Sequence, residues 1–196
     1  ADGSGWSDLT PMGARRNAPG AAVLPCGKVL VAGGATTLDG GGSVLKTAEL
    51  WDPATGAWSD LPPMAQERWG ARCCVLPSGR VAVVGGFGSD YEPRHDGEAF
   101  DPEAQTWQPL PPMAHARTEH GVVAVAGGLL AVGGAHPDDD LLAVGGSQEP
   151  VPDELFDEAS GRWFELPHPM AEPRLRSHVV SIPASALAPP SPTPST

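Results

Sequence analysis

The sequence has no apolar run approaching the roughly 20 residues that a membrane-spanning helix needs, and its 12 Lys and Arg residues form no cluster. Against them stand 24 Asp and Glu, giving a formal net charge of −12 and a pI near 4.7. Neither nucleic-acid binding by phosphate neutralisation nor attachment to an anionic membrane is expected of such a chain. Cysteine is scarce: Cys26, Cys73 and Cys74 cannot all pair within one chain, and two adjacent Cys in a strand point to opposite faces. They read as small buried apolar residues of a reducing compartment, so a cytoplasmic location is expected. With no CxxC, a zinc knuckle has no support. The chain starts Ala1-Asp2-Gly3 without Met or an apolar leader, so a targeting segment is expected to be absent or already removed. Helix signals are nearly missing, since no capped apolar run follows a 3.6-residue period.

What is present is turn chemistry and repetition. The 196 residues hold 25 Gly and 23 Pro, and six of the few aromatic residues are Trp. That length suffices for one or two domains with a real core. Trp6, Trp58, Trp107 and Trp163 lie 52, 49 and 56 residues apart (58 − 6, 107 − 58, 163 − 107) and open the phrases WSDLTPM, WSDLPPM, WQPLPPM and WFELPHPM. An Arg stands four residues after each Met: Arg16, Arg68, Arg117 and Arg174. A di-glycine follows three of these Arg at 17, 17 and 16 residues, as Gly33-Gly34, Gly85-Gly86 and Gly133-Gly134. Before the next Trp come ELWDPATGAW, EAFDPEAQTW and ELFDEASGRW, with Asp52, Asp101 and Asp157 six residues ahead of it.

Within a unit the period is that of strands. AAVLPCGKVLVAGG and RCCVLPSGRVAVVGG each read as two short apolar runs around a Pro-x-Gly turn, a hairpin buried on both faces. A polar loop, a strand near Glu49–Asp52 or Glu98–Asp101, an Asp-Pro turn and a last strand holding the Trp complete the unit. The prolines after that strand (Pro62-Pro63, Pro111-Pro112) cannot donate to a ladder and end the pairing. Four short antiparallel strands cannot bury both faces alone, but stacked units can.

A period near 50 with a di-glycine and a spaced Trp resembles the Kelch repeat, whose units are blades of a β-propeller. The resemblance runs from residue 6 to about residue 182, with repeats near 6–58, 58–107 and 107–163 and a partial one over 163–182. It implies an all-β fold: a partial, open Kelch-type propeller with blades of four antiparallel strands. Trp51, Phe100 and Phe156 stand where the family usually has Tyr, which keeps a large apolar group there. The count is short of a closed ring: a lone last strand from Trp6, three full units, and a first strand over Arg176–Ile182. Closed propellers carry roughly four to eight blades, so the blade edges left unpaired invite self-association. LLAVGG occurs twice, at Leu129–Gly134 and Leu141–Gly146; by the Arg spacing the first copy is the blade strand and the second an insertion. Residues 183–196, rich in Pro and Ser, have too little apolar content to fold and are expected to be disordered.

Recurrence at fixed offsets assigns Arg16, Arg68, Arg117 and Arg174 to structure, as guanidinium groups satisfying carbonyls or acidic side chains between blades. The di-glycines read as backbone positions of close packing or unusual φ, since no helix follows them to make a phosphate site. The period Trp residues read as blade packing. Variation is the better guide to function: just after each structural Arg come Asn17, Trp69 with Arg72, Thr118-Glu119-His120, and Arg176 with His178. In the Kelch propellers this chain resembles, such positions and the loops beyond the di-glycine line the recognition face. The loop over Phe87–Gly97 adds Tyr91, Arg94 and His95, and Ala135–Asp140 adds Asp138-Asp139-Asp140. Three consecutive Asp do not supply the alternating ligands of a calcium loop. There is no GxSxG, and His95, His115, His120, His136, His168 and His178 form no close pair at ligand spacing.

The sequence thus points to a non-catalytic module that binds a protein or peptide, without a cofactor, as the recognition part of an adaptor of the ubiquitin-ligase kind or of a scaffold. The resemblance also admits the propeller of a galactose-oxidase-like or sialic-acid-epimerase-like enzyme whose active-site residues lie outside this chain. The single Tyr falls short of the two that an oxidase-type copper site needs. A truncated reading frame with no activity of its own is the third reading.

Overall fold

A computed structural model describes residues 5, 8–37, 42–134 and 151–167. Trp6, Arg174, Arg176, Asp138-Asp139-Asp140, the second LLAVGG, the strand expected over Arg176–Ile182 and the Pro/Ser tail lie outside the described residues.

Twelve strands, and no helix, are formed among these residues. The Pro-x-Gly turns fold as expected. In the first, the Leu24 amide donates to the Lys28 carbonyl and the Gly27 amide to the Leu24 carbonyl, each at 2.8 Å. Gly27 takes φ +83 there, a conformation that favours Gly. This turn joins β1 (Gly20–Val23) to β2 (Val29–Ala32). An Asp turn, in which Asp52 Oδ1 accepts from the Ala54 amide at 2.8 Å, joins β3 (Ala48–Asp52) to β4 (Ala57–Leu61). The second unit repeats the plan with β5 (Arg72–Val75), β6 (Val81–Val84), β7 (Gly97–Asp101) and β8 (Thr106–Leu110). The third has β9 (Gly121–Val125), β10 (Gly128–Val132), β11 (Glu154–Asp157) and β12 (Arg162–Glu165). Each unit is one antiparallel sheet with its strands in chain order. The described residues are all-β: they form three four-stranded blades of a propeller, which do not by themselves close a ring.

Register explains the aromatic pattern. Trp51 lies directly opposite Trp58, Phe100 opposite Trp107, and Phe156 opposite Trp163. The last two pairs meet with ring centroids 5.1 and 5.2 Å apart, tilted by 47° and 44°, the offset geometry that aromatic quadrupoles favour.

The blades stack so that β1 lies against β5 and β5 against β9. Side chains alternate across blade two. Val81, Val83 and Phe100 join Leu24, Leu30 and Leu61 in a core between blades one and two. Ala82, Val84 and Ala99 join Leu129, Ala131 and Phe156 in a second core between blades two and three. Cys73 packs on the first and Cys74 lies in the second, the opposite facing that strand geometry requires. All three cysteines are free thiols.

One expectation needs correcting. The hairpins are not buried on both faces throughout: β6 is buried at all four positions, whereas β1, β5 and β9 keep half-buried or exposed residues. These innermost strands are sheet edges, and nothing among the described residues covers the far side of blade one. Of the last strand expected from Trp6 onward, Trp6 and Ser7 lie outside the described residues, so that expectation is not decided. The segment from Thr10 to Ala14 runs onto blade one as a link.

Candidate functional site

In each blade the second strand ends, the third begins and the fourth ends at the same side, where the chain also enters the next blade. The di-glycine loops and the interblade links therefore share one face, called here the link face.

The repeated Arg builds it. Arg16 Nη1 donates to the Gly33 and Thr47 carbonyls, each at 2.9 Å, and Nη2 to Glu49 Oε1 at 2.8 Å. Arg68 reaches the Asp96 carboxylate at 2.7 Å and Glu98 at 3.5 Å. Arg117 reaches the Gly133 carbonyl at 3.0 Å, the Pro152 carbonyl at 2.7 Å and Glu154 at 2.6 Å. Each guanidinium thus ties the end of the second strand to the start of the third. Its backbone meanwhile ties two blades together: the Arg68 amide donates to Leu45 and the Arg117 amide to Arg94, each at 3.1 Å.

Glu49, Glu98 and Glu154 are the residues that sequence reasoning left unassigned. Each also accepts from two amides of the link ahead: Gly13 and Ala14, Ala65 and Gln66, Ala114 and His115. Their distance from the Arg varies (33, 30 and 37 residues) because the loop between differs in length, but each stands nine residues before a period Trp. That constant offset was the available signal. Burial works against the charge of Glu49, but the Gly13 amide and Arg16 outweigh it and hold its pKa below the ordinary value. Asp96 is lowered in the same way, with Arg68 outweighing burial. Burial depresses the Arg117 pKa even against the pull of Glu154.

The di-glycines let the links come close. A Cβ on Gly33 (φ +68) would lie 2.3 Å from the Arg68 carbonyl oxygen, and one on Gly85 (φ +65) 2.5 Å from that of Arg117. The second glycines receive the link directly, as the Gly34 amide donates to Arg68 at 2.7 Å and the Gly86 amide to Arg117 at 3.0 Å. The period Trp hold the outer ends of the links: Trp58 Nε1 donates to the Thr10 carbonyl, Trp107 to Pro62 and Trp163 to Pro111, at 2.8, 2.7 and 2.8 Å.

The non-repeating residues sit on this frame. Asn17, Trp69 and Tyr91, with Ala35 and Val44, line one small cleft of about 40 Å³ between blades one and two. Trp69 stacks on Phe87 with centroids 4.9 Å apart. Tyr91 is exposed and held at φ +60, a backbone state that non-glycine residues enter rarely and often at functional positions. Arg94 lies beside Asp90, at 3.8 Å.

The remaining residues gather between blades two and three. Arg72, at the head of β5, is half-buried and donates through Nε to the His120 carbonyl at 2.9 Å. Arg16, Arg68, Arg80, Arg94 and Arg117 each have a carboxylate within 4 Å, whereas Arg72 has none among the described residues. Glu119 adopts φ +52, matching Ala18 (φ +46) and Gly70 (φ +68) two residues after their own Arg. His120 is fully buried, with neither ring nitrogen hydrogen-bonded, and the Thr118 hydroxyl is likewise buried and unpartnered. Burial first, then Arg117 and Arg72, push the His120 pKa well below the ordinary value. Its ring therefore faces the protein interior rather than a partner. Among the described residues no three His, Cys, Asp or Glu side chains converge as metal ligands, and no helix is long and apolar enough to cross a membrane.

Two stretches match the Kelch motif, residues 16–65 and residues 70–114. A solved structure of YjhT shares the fold with a TM-score of 0.69 at 17% identity, over 88% of this chain and 58% of that one. The chain thus spans less than two thirds of that structure. No curated protein matches it.

Proposed function

We propose, for a chain that carries Kelch repeats and folds as propeller blades, that it is a non-catalytic module recognising a protein or peptide through the link face, as the recognition part of a larger adaptor or scaffold. One observation carries this reading. Asn17, Trp69 and Tyr91, residues that do not recur and come from three separate segments, line a single cleft, on a face otherwise made of recurring parts. Arg72, one seam away, adds a guanidinium aimed by its own Nε bond and without a carboxylate among the described residues. A peptide with an apolar or aromatic residue for the cleft and an acidic residue for Arg72 suits that pair. Function placed in variable loops on a rigid frame is the general pattern.

Peptides selected from a displayed library against the whole chain test the reading. Tyr91→Ala and Arg72→Gln are expected to weaken the selected peptide by about tenfold or more, roughly 1.4 kcal/mol, with the urea midpoint of Tyr91→Ala unchanged. Selected peptides that bind both folded variants as well as the wild type would refute the link-face site. Stoichiometric copper in the full-length gene product would favour the oxidase-like alternative instead.

A further inference from the structure

Away from the link-face cleft, a groove of about 530 Å³ lies on the outer rim, where the link leaving blade one passes β8 of blade two. That volume is within the roughly 300–1,000 Å³ usual for binding sites. Pro62 and Pro63 form one wall, and Trp107 and Pro109 of β8 the other. The groove follows β8 from Thr106 to Leu110, a length of roughly 17 Å. Both walls are described residues, and the repeat places no further segment of this chain between them.

Blade three has the same groove, smaller at about 420 Å³, between Pro111-Pro112 and Trp163. There His115 of the link and Glu165 of β12 join the two walls, Nε2 to Oε1, at 3.0 Å. Gln66 and Pro109 stand at those positions in blade two. Pro109 has no polar side chain to bond with, so the blade-two groove stays open. Its charge differs as well. Asp96 stands where blades one and three have Thr47 and Pro152. In blade one Arg16 faces Glu49 and the Thr47 hydroxyl, at 2.8 and 2.9 Å. In blade two Arg68 faces two carboxylates, Asp96 and Glu98, which leaves one in surplus. Arg68 is fully buried whereas Asp96 is 36% exposed, so the groove meets the carboxylate, and no Lys or Arg lines it. At the other end Gln105 holds φ +56 where Gly56 and Gly161 take φ +67 and +63, a costly backbone state for a residue with a side chain. Its Nε2 donates to the Pro102 carbonyl at 2.9 Å, which leaves Oε1 as an acceptor in the groove.

We infer that this groove binds an extended, proline-containing peptide segment carrying an Arg or Lys, its prolines along Trp107 and the wall prolines and its cation on Asp96. Aromatic-lined grooves take the polyproline II conformation because it is extended beforehand and loses little entropy on docking. Addition as a further strand fits less well, since Pro109 offers no N–H at this sheet edge. Charge selects the occupant. The surplus carboxylate favours a cation, and this chain's own Pro/Ser-rich residues 183–196 contain none. The groove is separate from the link-face cleft, so either site can fail alone.

Fluorescence anisotropy of a dye-labelled peptide of three Pro-Pro-Arg repeats, titrated with the whole chain, tests this. Saturable binding is expected, weaker in about 1 M salt and lost when Ser replaces Arg in the peptide. Asp96→Thr gives blade two the residue of blade one, where Thr47 already satisfies its Arg. It is expected to weaken binding about tenfold or more. The double variant Gln66→His with Pro109→Glu gives blade two the bridge of blade three and is expected to abolish binding. Both variants should keep a cooperative urea transition, and Tyr91→Ala should bind the peptide as the wild type does. Equal binding of the serine peptide, or no saturable binding at all, overturns the proposal. So does a labelled peptide of residues 183–196 that binds as tightly, which would give the groove to this chain's own tail. So does the neutral oligosaccharide cellohexaose binding where the arginine peptide does not. Release by Tyr91→Ala, with the folded groove variants still binding, would move the contact to the link face. The peptide comparison on the wild-type chain decides the need for a cation should a variant misfold.

Discussion

The seam between blades one and two and the seam between blades two and three share a frame but close differently. At the first, Gly20 heads the innermost strand so tightly that a Cβ there would lie within 2.4 Å of Cys73 Sγ. At the corresponding places the second seam has Arg72, bonded to the His120 carbonyl, and His120 itself where blade two has the small Ala71. On the side opposite the link face, Lys28 pairs with Asp52 of its own blade at 3.0 Å. Its counterpart Arg80 crosses to Glu158 of the next blade at 2.8 Å, where the Ser78 amide also donates to Glu158 at 3.0 Å. Burial opposes the Glu158 charge, but Ser78 and Arg80 outweigh it and lower its pKa. The first seam is thus the more apolar joint, and the second adds polar straps together with the buried, unpartnered Thr118 hydroxyl and His120 ring nitrogens.

Removing the buried cation should part the seams most. Arg117 and Glu154 are both fully buried, whereas Asp96, a partner of Arg68, is 36% exposed. Losing one member of a buried pair strands the other charge and costs about 3–5 kcal/mol. Arg117→Met should lose that much in urea unfolding and Arg68→Met less, since water takes over part of the stranded charge. Equal losses would show that exposure at Asp96 does not soften the first seam.

Acid should act next, and on the second seam alone. His120 stays neutral when folded because its pKa is depressed, while an unfolded His titrates near about 6.5. The unfolded chain therefore binds more protons below that pH. The stability His120 confers is full above about pH 6.5 and falls by up to roughly 1.4 kcal/mol per unit beneath it, until the folded pKa is reached. Urea midpoints at pH 7.5 and 5.5 should show a drop that His120→Ala removes. An unchanged drop in the variant would place the acid sensitivity elsewhere.

The smallest effect belongs to the strap. Glu158→Gln should cost about 0.5–1 kcal/mol at low salt and less in about 1 M salt, where exposed pairs are screened. A larger, salt-insensitive cost would mean that the seams differ more in packing than in charge.

The blades were legible in the sequence because strand period, Pro-x-Gly turns and Trp spacing are local features, and all three recur. The ion pairs were half legible. Arg was found by its offset from Met, but its Glu partner lies across a loop of variable length and keeps its offset only from Trp. The left-handed position after each Arg was hidden, because Ala18 and Glu119 occupy it where only Gly70 advertises the conformation. For the site, variation against repetition picked out Asn17, Trp69 and Tyr91, which do meet. It also picked out His120, which lies buried, because sequence spacing does not reveal on which side of a stacked sheet a side chain ends.

The neighbouring thiols Cys73 and Cys74 sit back to back across β5, one against each seam. Burial raises both pKa values, that of Cys74 to about 12, so neither is a ready thiolate while the blades stay closed. A thiol reagent therefore reads them as two gauges in one strand: modification of Cys73 clocks the parting of blade one, and modification of Cys74 clocks the parting of blade three. The order in which the two react dates which joint of the stack yields first.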